Sequence, residues 1–210
     1  MHRRLLVLLG VALVVFGACT ATENATDTTS TTTTTTAVDG EEEAGPPETE
    51  VTMTDAAGAD VGTVQLRPTD GGVRVRAQLQ GLTPGFHGFH IHDVGRCEAD
   101  APDGPFTTAA GHFVGEGGTH GDHDGDLPSL YVTEDGEAQL TVTVDAFAVE
   151  ELTAGDGAAV MVHAAPDNFA NIPDRYTAAD ADAPGADAMT SSTGDAGPRA
   201  ACGVIQPAQA

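Results

Sequence analysis

Residues 73–80 read Val-Arg-Val-Arg-Ala-Gln-Leu-Gln, and this short stretch decides the fold class. Val73, Val75, Ala77 and Leu79 fall on one face of an extended chain, and Arg74, Arg76, Gln78 and Gln80 on the other. Strict alternation of this kind marks a strand buried on one side only. Working outward, Leu130 and Val132 lead into Glu134-Asp135-Gly136, a hairpin turn signal, and Ala138, Leu140, Val142 and Val144 alternate beyond it. Shorter strands are predicted at 50–54, 60–66, 87–92, 158–163 and 202–206, and a helical turn only at 146–152. With 26 Gly, 12 Pro and 4% aromatic residues in 210, long packed helices are disfavoured. The pattern predicts one all-β domain, an antiparallel sandwich or barrel of about eight strands. Its two long connections, 93–128 and 164–201, are the segments in which function is expected.

The charge balance excludes whole classes of function. Eight basic residues, all Arg, face 32 acidic ones. Phosphate contacts need basic clusters, so a nucleic-acid surface and a polybasic membrane surface are both excluded. Arg3 and Arg4, the apolar run Leu5–Phe16 and the small pair Gly17-Ala18 read as a secretory signal over residues 1–18. The small-small-Cys ending resembles a bacterial lipobox and makes Cys19 the expected lipid-bearing residue, against plain signal cleavage near it. Without residues 1–18 the chain keeps six arginines against 32 acids, a net charge of −26. Residues 19–49 are Thr-rich, then acidic at Glu41-Glu42-Glu43, then Pro46-Pro47, with too little apolar surface to offset the entropy of ordering. They read as a tether, followed by a folded domain over 50–207 and a tail over 208–210. Three cysteines occur. Assigning Cys19 to lipid leaves Cys97 and Cys202, an even pair in an oxidising compartment, as either a disulfide or two buried thiols.

The histidines are sorted. Besides His2 the chain has His87, His90, His92, His112, His120, His123 and His163, all in or beside the predicted 87–92 strand and the long loops. Residues i and i+2 of a strand share a face, so His90 and His92 point one way while Phe89 and Ile91 point into the core. Two parallel imidazoles make half of a metal site, and imidazole suits copper and zinc. His87 is out of phase with the pair and is assigned a structural role.

The chain closely resembles the copper/zinc superoxide dismutase family in its exported bacterial form. The resemblance covers residues from about 50 to 206 and rests on GFHGFHIH (85–92), GRC (95–97), AGHF (110–113), GDLPSL (125–130), VHAAPDN (162–168) and GPRAACGVI (197–205), in the family's order. It implies a Greek-key β-barrel or immunoglobulin-like sandwich that dismutes superoxide to oxygen and hydrogen peroxide. By the same resemblance His90, His92, His112 and His163 hold copper, and His112, His120, His123 and Asp126 hold zinc, with His112 as the bridge. It further implies a Cys97–Cys202 disulfide, an Arg199 that meets the anionic substrate, and an Asp167 that joins the two metal sites. Arg175, in the second long loop, is read either as an aid to Arg199 or as a surface residue.

One departure from the family pattern is plain. Only two residues separate His120 from His123, where most relatives have a markedly longer stretch. Zinc is nevertheless expected, on ligand identity, against the alternative of an acidic, hydrated turn in a copper-only relative. The role implied is defence of the cell envelope, with the protein exported, lipid-anchored on the outer face of the cytoplasmic membrane and touching the membrane only through that anchor. A copper- or zinc-carrying or storage module on the same fold is the competing reading, and a substrate-guiding arginine argues against it. An envelope interaction domain with histidines as core groups is a third, opposed by six clustered imidazoles.

Overall fold

The computed structural model describes residues 48–115, 117–179 and 182–207. The leader, Cys19, the tether as far as residue 47 and the 208–210 tail lie outside the described residues, and Thr49, which the sequence reading left in the tether, opens the first strand. Nine strands appear among the described residues: β1 Thr49–Asp55, β2 Asp60–Thr69, β3 Gly72–Leu79, β4 Gly85–His87, β5 Phe89–His92, β6 Leu130–Val132, β7 Ala138–Val144, β8 Ala158–His163 and β9 Arg199–Ile205. Strand β3 contains the alternating stretch, with Val73, Val75, Ala77 and Leu79 buried and Arg74, Arg76 and Gln78 exposed. All pairings are antiparallel, in one sheet ordered β4-β6-β7-β3-β2-β1-β9-β8-β5. The connections from β3 to β4 and from β7 to β8 join strands that are not neighbours, as a Greek key requires.

The sequence reading took 87–92 as one strand. In the structure the segment is divided at Gly88, and its halves lie at the two ends of the sheet, β4 against β6 and β5 against β8. Gly88 therefore sits at the seam of a nearly closed barrel, and the split yields nine strands where about eight were expected. The backbone of Gly88 is engaged on both sides: its N–H donates to Ala165 O at 2.9 Å, and its carbonyl accepts from His163 N at 2.8 Å. A Cβ at this position would stand 2.6 Å from the Ala196 Cβ, so the seam needs glycine for close approach.

The inward residues, among them Val64, Leu66, Val75, Phe89, Ile91 and Val160, form the main core. Strand β8 is buried along its whole length, because its alternate residues Ala159 and Met161 pack on a second cluster with Phe106, Ala109 and Cys202. Burial on both faces explains why 158–162 is continuously apolar rather than alternating. The Cys97–Cys202 disulfide closes a sequence separation of 105 residues and ties the first long loop to β9. The expected helical turn is present as α1, Val149–Leu152. A 3-10 turn at Thr107–Ala109 and a helical turn α2 at Thr190–Thr193 were not anticipated. α2 is held by the Asp187 carboxylate, which accepts from Thr190 N at 2.9 Å, and by Gly194 in the left-handed region at its C-terminus, not by apolar periodicity.

Removing the bridge with Cys97→Ser and Cys202→Ser together is expected to lower stability by about 4–5 kcal/mol, the chain-entropy value for a loop of this length. Urea unfolding of the oxidised chain against the double variant measures it, and equal midpoints would contradict it.

Candidate metal centre

Two connections and three strands assemble the site. The first long loop doubles back along β5: Phe113 N donates to Ile91 O, and Ile91 N to Gly125 O, both at 2.8 Å. This return sets His112 opposite His92 and Asp126 opposite His90. On its other edge β5 pairs with β8, whose last residue is His163. The β8–β9 register slips there, so that Val162 faces Ala201 while His163 faces Arg199, with Ala200 as the extra residue of a bulge. Bulges re-aim side chains, and this one brings Arg199 beside His163.

His90, His92, His112 and His163 are all buried and offer ligand atoms within 4.8 Å of one another. Each outer nitrogen of three rings is fixed by an acceptor. His92 Nδ1 donates to Ala110 O at 3.0 Å, His163 Nδ1 to Gly197 O at 3.0 Å, and His90 Nε2 to Asp167 Oδ2 at 2.6 Å. A carbonyl only accepts, so the His92 and His163 tautomers are set and their Nε2 lone pairs face each other at 3.3 Å. His90 Nδ1 is left buried with no partner. Burial, and then the repulsion that Arg199 and any protonated neighbouring ring would exert on a charged imidazole, holds His92 well below its ordinary value. Burial likewise brings His163 down to about 3 and His112 to about 4. These rings are neutral at pH 7, with lone pairs available.

A second group, His90, His112, His120 and Asp126, also places ligand atoms within 4.8 Å. His112 Nδ1 lies 2.9 Å from Asp126 Oδ1 and 3.2 Å from His120 Nδ1. His123 stands at the edge of this group, its Nδ1 buried without a hydrogen-bond partner and 3.4 Å from Asp126 Oδ2. Tetrahedral zinc with nitrogen ligands at 2.0–2.1 Å needs ligand atoms about 3.3–3.4 Å apart, close to these spacings. His90 has one nitrogen bound to Asp167 and one left for a single ion, so His123 is the residue that completes the second set. The donor sets fit copper on one side of His112 and zinc on the other.

The carboxylates organise both halves. Asp126 Oδ2 accepts from Gly121 N at 2.6 Å and His123 N at 3.2 Å, which folds the short His120–Asp126 stretch on itself. Burial would raise Asp126, but hydrogen bonds from His112, His120 and the Gly121 N–H hold it far below the usual carboxylate range. Asp167 takes His120 Nε2 on Oδ1 at 2.8 Å and His90 Nε2 on Oδ2, so one carboxylate contacts a ring of each group. Burial also opposes the charged form of His120, yet the hydrogen bonds to Asp126 and Asp167 prevail and raise it to about 9.

The guanidinium of Arg199 donates to Phe106 O and to Ala110 O, the same carbonyl that orients His92. The sequence reading did not find Phe106 or Ala110, because a carbonyl carries no residue signature; both adopt positive φ, 62° and 61°, and thereby turn their carbonyls. His87 keeps the structural role it was given, with ring nitrogens 2.6 Å from His163 O and 2.7 Å from Thr83 O. Arg175 lies over the Tyr176 ring, 4.9 Å from its centroid, on the surface.

A family model described as copper/zinc superoxide dismutase (SODC) matches residues 61–205. The superoxide dismutase [Cu-Zn] of Mycolicibacterium paratuberculosis is 40% identical over 218 aligned residues, covering 95% of this chain and 96% of the relative. That of Mycobacterium bovis is 44% identical over 175 residues, covering 79% of this chain and 72% of its own. Among solved structures, the Cu/Zn superoxide dismutase from Brucella abortus superposes with a TM-score of 0.56 at 30% identity, covering 76% of this chain and 99% of that one. A barrel seamed at Gly88, two histidine groups that share His112 and these matches agree: the chain belongs to the copper/zinc superoxide dismutase family.

Proposed function

We propose that this chain dismutes superoxide to oxygen and hydrogen peroxide, with copper held by His90, His92, His112 and His163 and zinc by His112, His120, His123 and Asp126. The observation that carries the reading is the buried four-histidine group with Arg199 fixed beside it. Copper supplies the one-electron couple that oxidises one superoxide and reduces the next. The protein supplies the rest. Arg199 is the local positive charge for a small anion on a chain whose net charge would otherwise repel it. Its two backbone acceptors fix the guanidinium in place, so little reorganisation is needed when the anion arrives. His112, a member of both groups, is the ring placed to hold a proton for the departing peroxide. Asp167 keeps His90 and His120 in register. A carrier or storage module has no use for the guanidinium.

We further infer export and lipid attachment at Cys19, which would place the barrel on a tether in the cell envelope. The apolar run before Cys19 and the presence of a disulfide support this reading.

Three outcomes follow from these assignments. Superoxide decay after pulse radiolysis is expected to track bound copper, with Arg199→Ala slower by about tenfold or more and Arg199→Lys between the two at equal copper content. Tight copper binding without faster decay would leave the carrier reading. Zinc uptake is expected to displace the proton on His120. That proton stabilises the metal-free fold fully below pH about 6.5, and the contribution is lost as pH rises through about 9. Calorimetry of the copper-free protein at pH 7 in two buffers of different ionisation heat should therefore show release of about one proton per zinc, and zinc affinity that rises toward pH 9. Zinc binding independent of pH would count against it. Finally, Cys19→Ser should move the protein from the membrane fraction to the soluble fraction of expressing cells, whereas a wild-type protein already soluble would refute the anchor.

A further inference from the structure

The stretch between His120 and His123 is only Gly121-Asp122, too short to fold back over the zinc-side ligands. Support for His120 comes instead from the second long loop. His120 N donates to Ser191 O at 2.7 Å. The Phe169 ring lies stacked on the His120 imidazole, centroids 6.3 Å apart and planes within 22°. Phe169 N donates at 2.7 Å to Asp167 Oδ1, the same oxygen that accepts from His120 Nε2 at 2.8 Å. The Phe169 carbonyl also comes so close to Gly121 that a Cβ there would be 2.9 Å away. One residue therefore touches His120, its carboxylate partner and the shortened stretch.

The backbone shows that this placement is held against preference. Phe169 and Ala170 are consecutive non-glycine residues at φ 54° and 52°, a region that residues with a Cβ avoid. Asn168 fixes them: its Oδ1 accepts from Ala170 N at 2.8 Å, its Nδ2 donates to Asp195 at 2.6 Å, and its own N–H donates to Gly194 O at 2.9 Å. Phe169 remains 41% exposed while His120 is 2% exposed, so the ring lies at the boundary between the buried imidazole and water. Such a conformation persists only where its surroundings impose it, which points to a use.

We propose that Phe169 is a positioning residue that caps the zinc-binding half of the centre, holding the His120 ring in plane and barring the water and competing ligands that would displace it. The proposal rests on the zinc assignment above. It makes the second long loop the cover for a zinc stretch that has none of its own.

The test uses the full-length, disulfide-bonded, copper- and zinc-loaded protein and follows zinc transfer to a chromogenic chelator. Phe169→Ala is expected to release zinc about 10-fold faster, as for loss of a group that orients a ligand, while Phe169→Tyr keeps the wild-type rate. Both variants carry a Cβ in the same backbone conformation, so strain is common to them and the ring is the variable. Copper absorbance and thermal unfolding of the metal-free forms are read in parallel and should not distinguish the variants. Equal release from wild type and Phe169→Ala would overturn the proposal. So would a Phe169→Ala protein that loses copper as readily as zinc and melts earlier without metal, since the ring would then be general packing. A wild-type protein that takes up no zinc would overturn the cap and the zinc assignment together, while superoxide decay on copper tests the dismutase function separately.

Discussion

Four residues, Phe89–His92, are hydrogen-bonded along both edges, and the centre depends on that. On one side β8 pairs with them; on the other the first long loop returns and pairs through residues 111–127. The two-residue period then does the sorting. Phe89 and Ile91 enter the core, and His90 and His92 face outward into a space that the loop has closed. Because β5 is neither an exposed edge nor free to slide, a shift of one residue would exchange the whole apolar pair for the imidazole pair. The site inherits the precision of the sheet.

That precision has an energetic cost. Buried imidazoles and carboxylates are expensive unless their hydrogen bonds are complete. Here Asp126 and Asp167 satisfy most of them, but His90 Nδ1 and His123 Nδ1 remain buried without partners. These two atoms belong to the two ligand sets, one each. Metal binding would therefore complete the network, so that part of the folding free energy of this domain is metal-binding free energy. The disulfide acts on the loop that carries the Phe106 and Ala110 carbonyls, and so secures Arg199 and, through Ala110, the His92 ring.

Much of this was legible in the residues, for identifiable reasons. Alternation at 73–80 is a direct image of a half-buried strand, and β3 follows it residue by residue. The histidines were legible because metal ligation demands particular side chains at particular spacings, and six of the seven beyond the leader come together. The seam was not legible. Gly88 lies inside a stretch with good strand character, and only the approach of Ala165, Ala196 and His163 from remote sequence splits it. Nor were the acceptors of Arg199, since any residue offers a carbonyl and only the φ values of 62° and 61° aim these two. Phe169 follows directly on the VHAAPDN stretch, but its contact with His120 joins two loops that the sequence does not align.

The carbonyl of Ala110 accepts from His92 Nδ1 and from the Arg199 guanidinium, which occupies both of its lone pairs. The group that greets the substrate and a ring that grips the metal thus lean on a single atom. Because the guanidinium is pinned to that oxygen, it shares the acceptor that fixes the tautomer and orientation of the His92 ring. The anion-facing charge and one metal-side imidazole are therefore not independent parts, and a residue exchanged at 199 also changes the hydrogen-bond environment of His92.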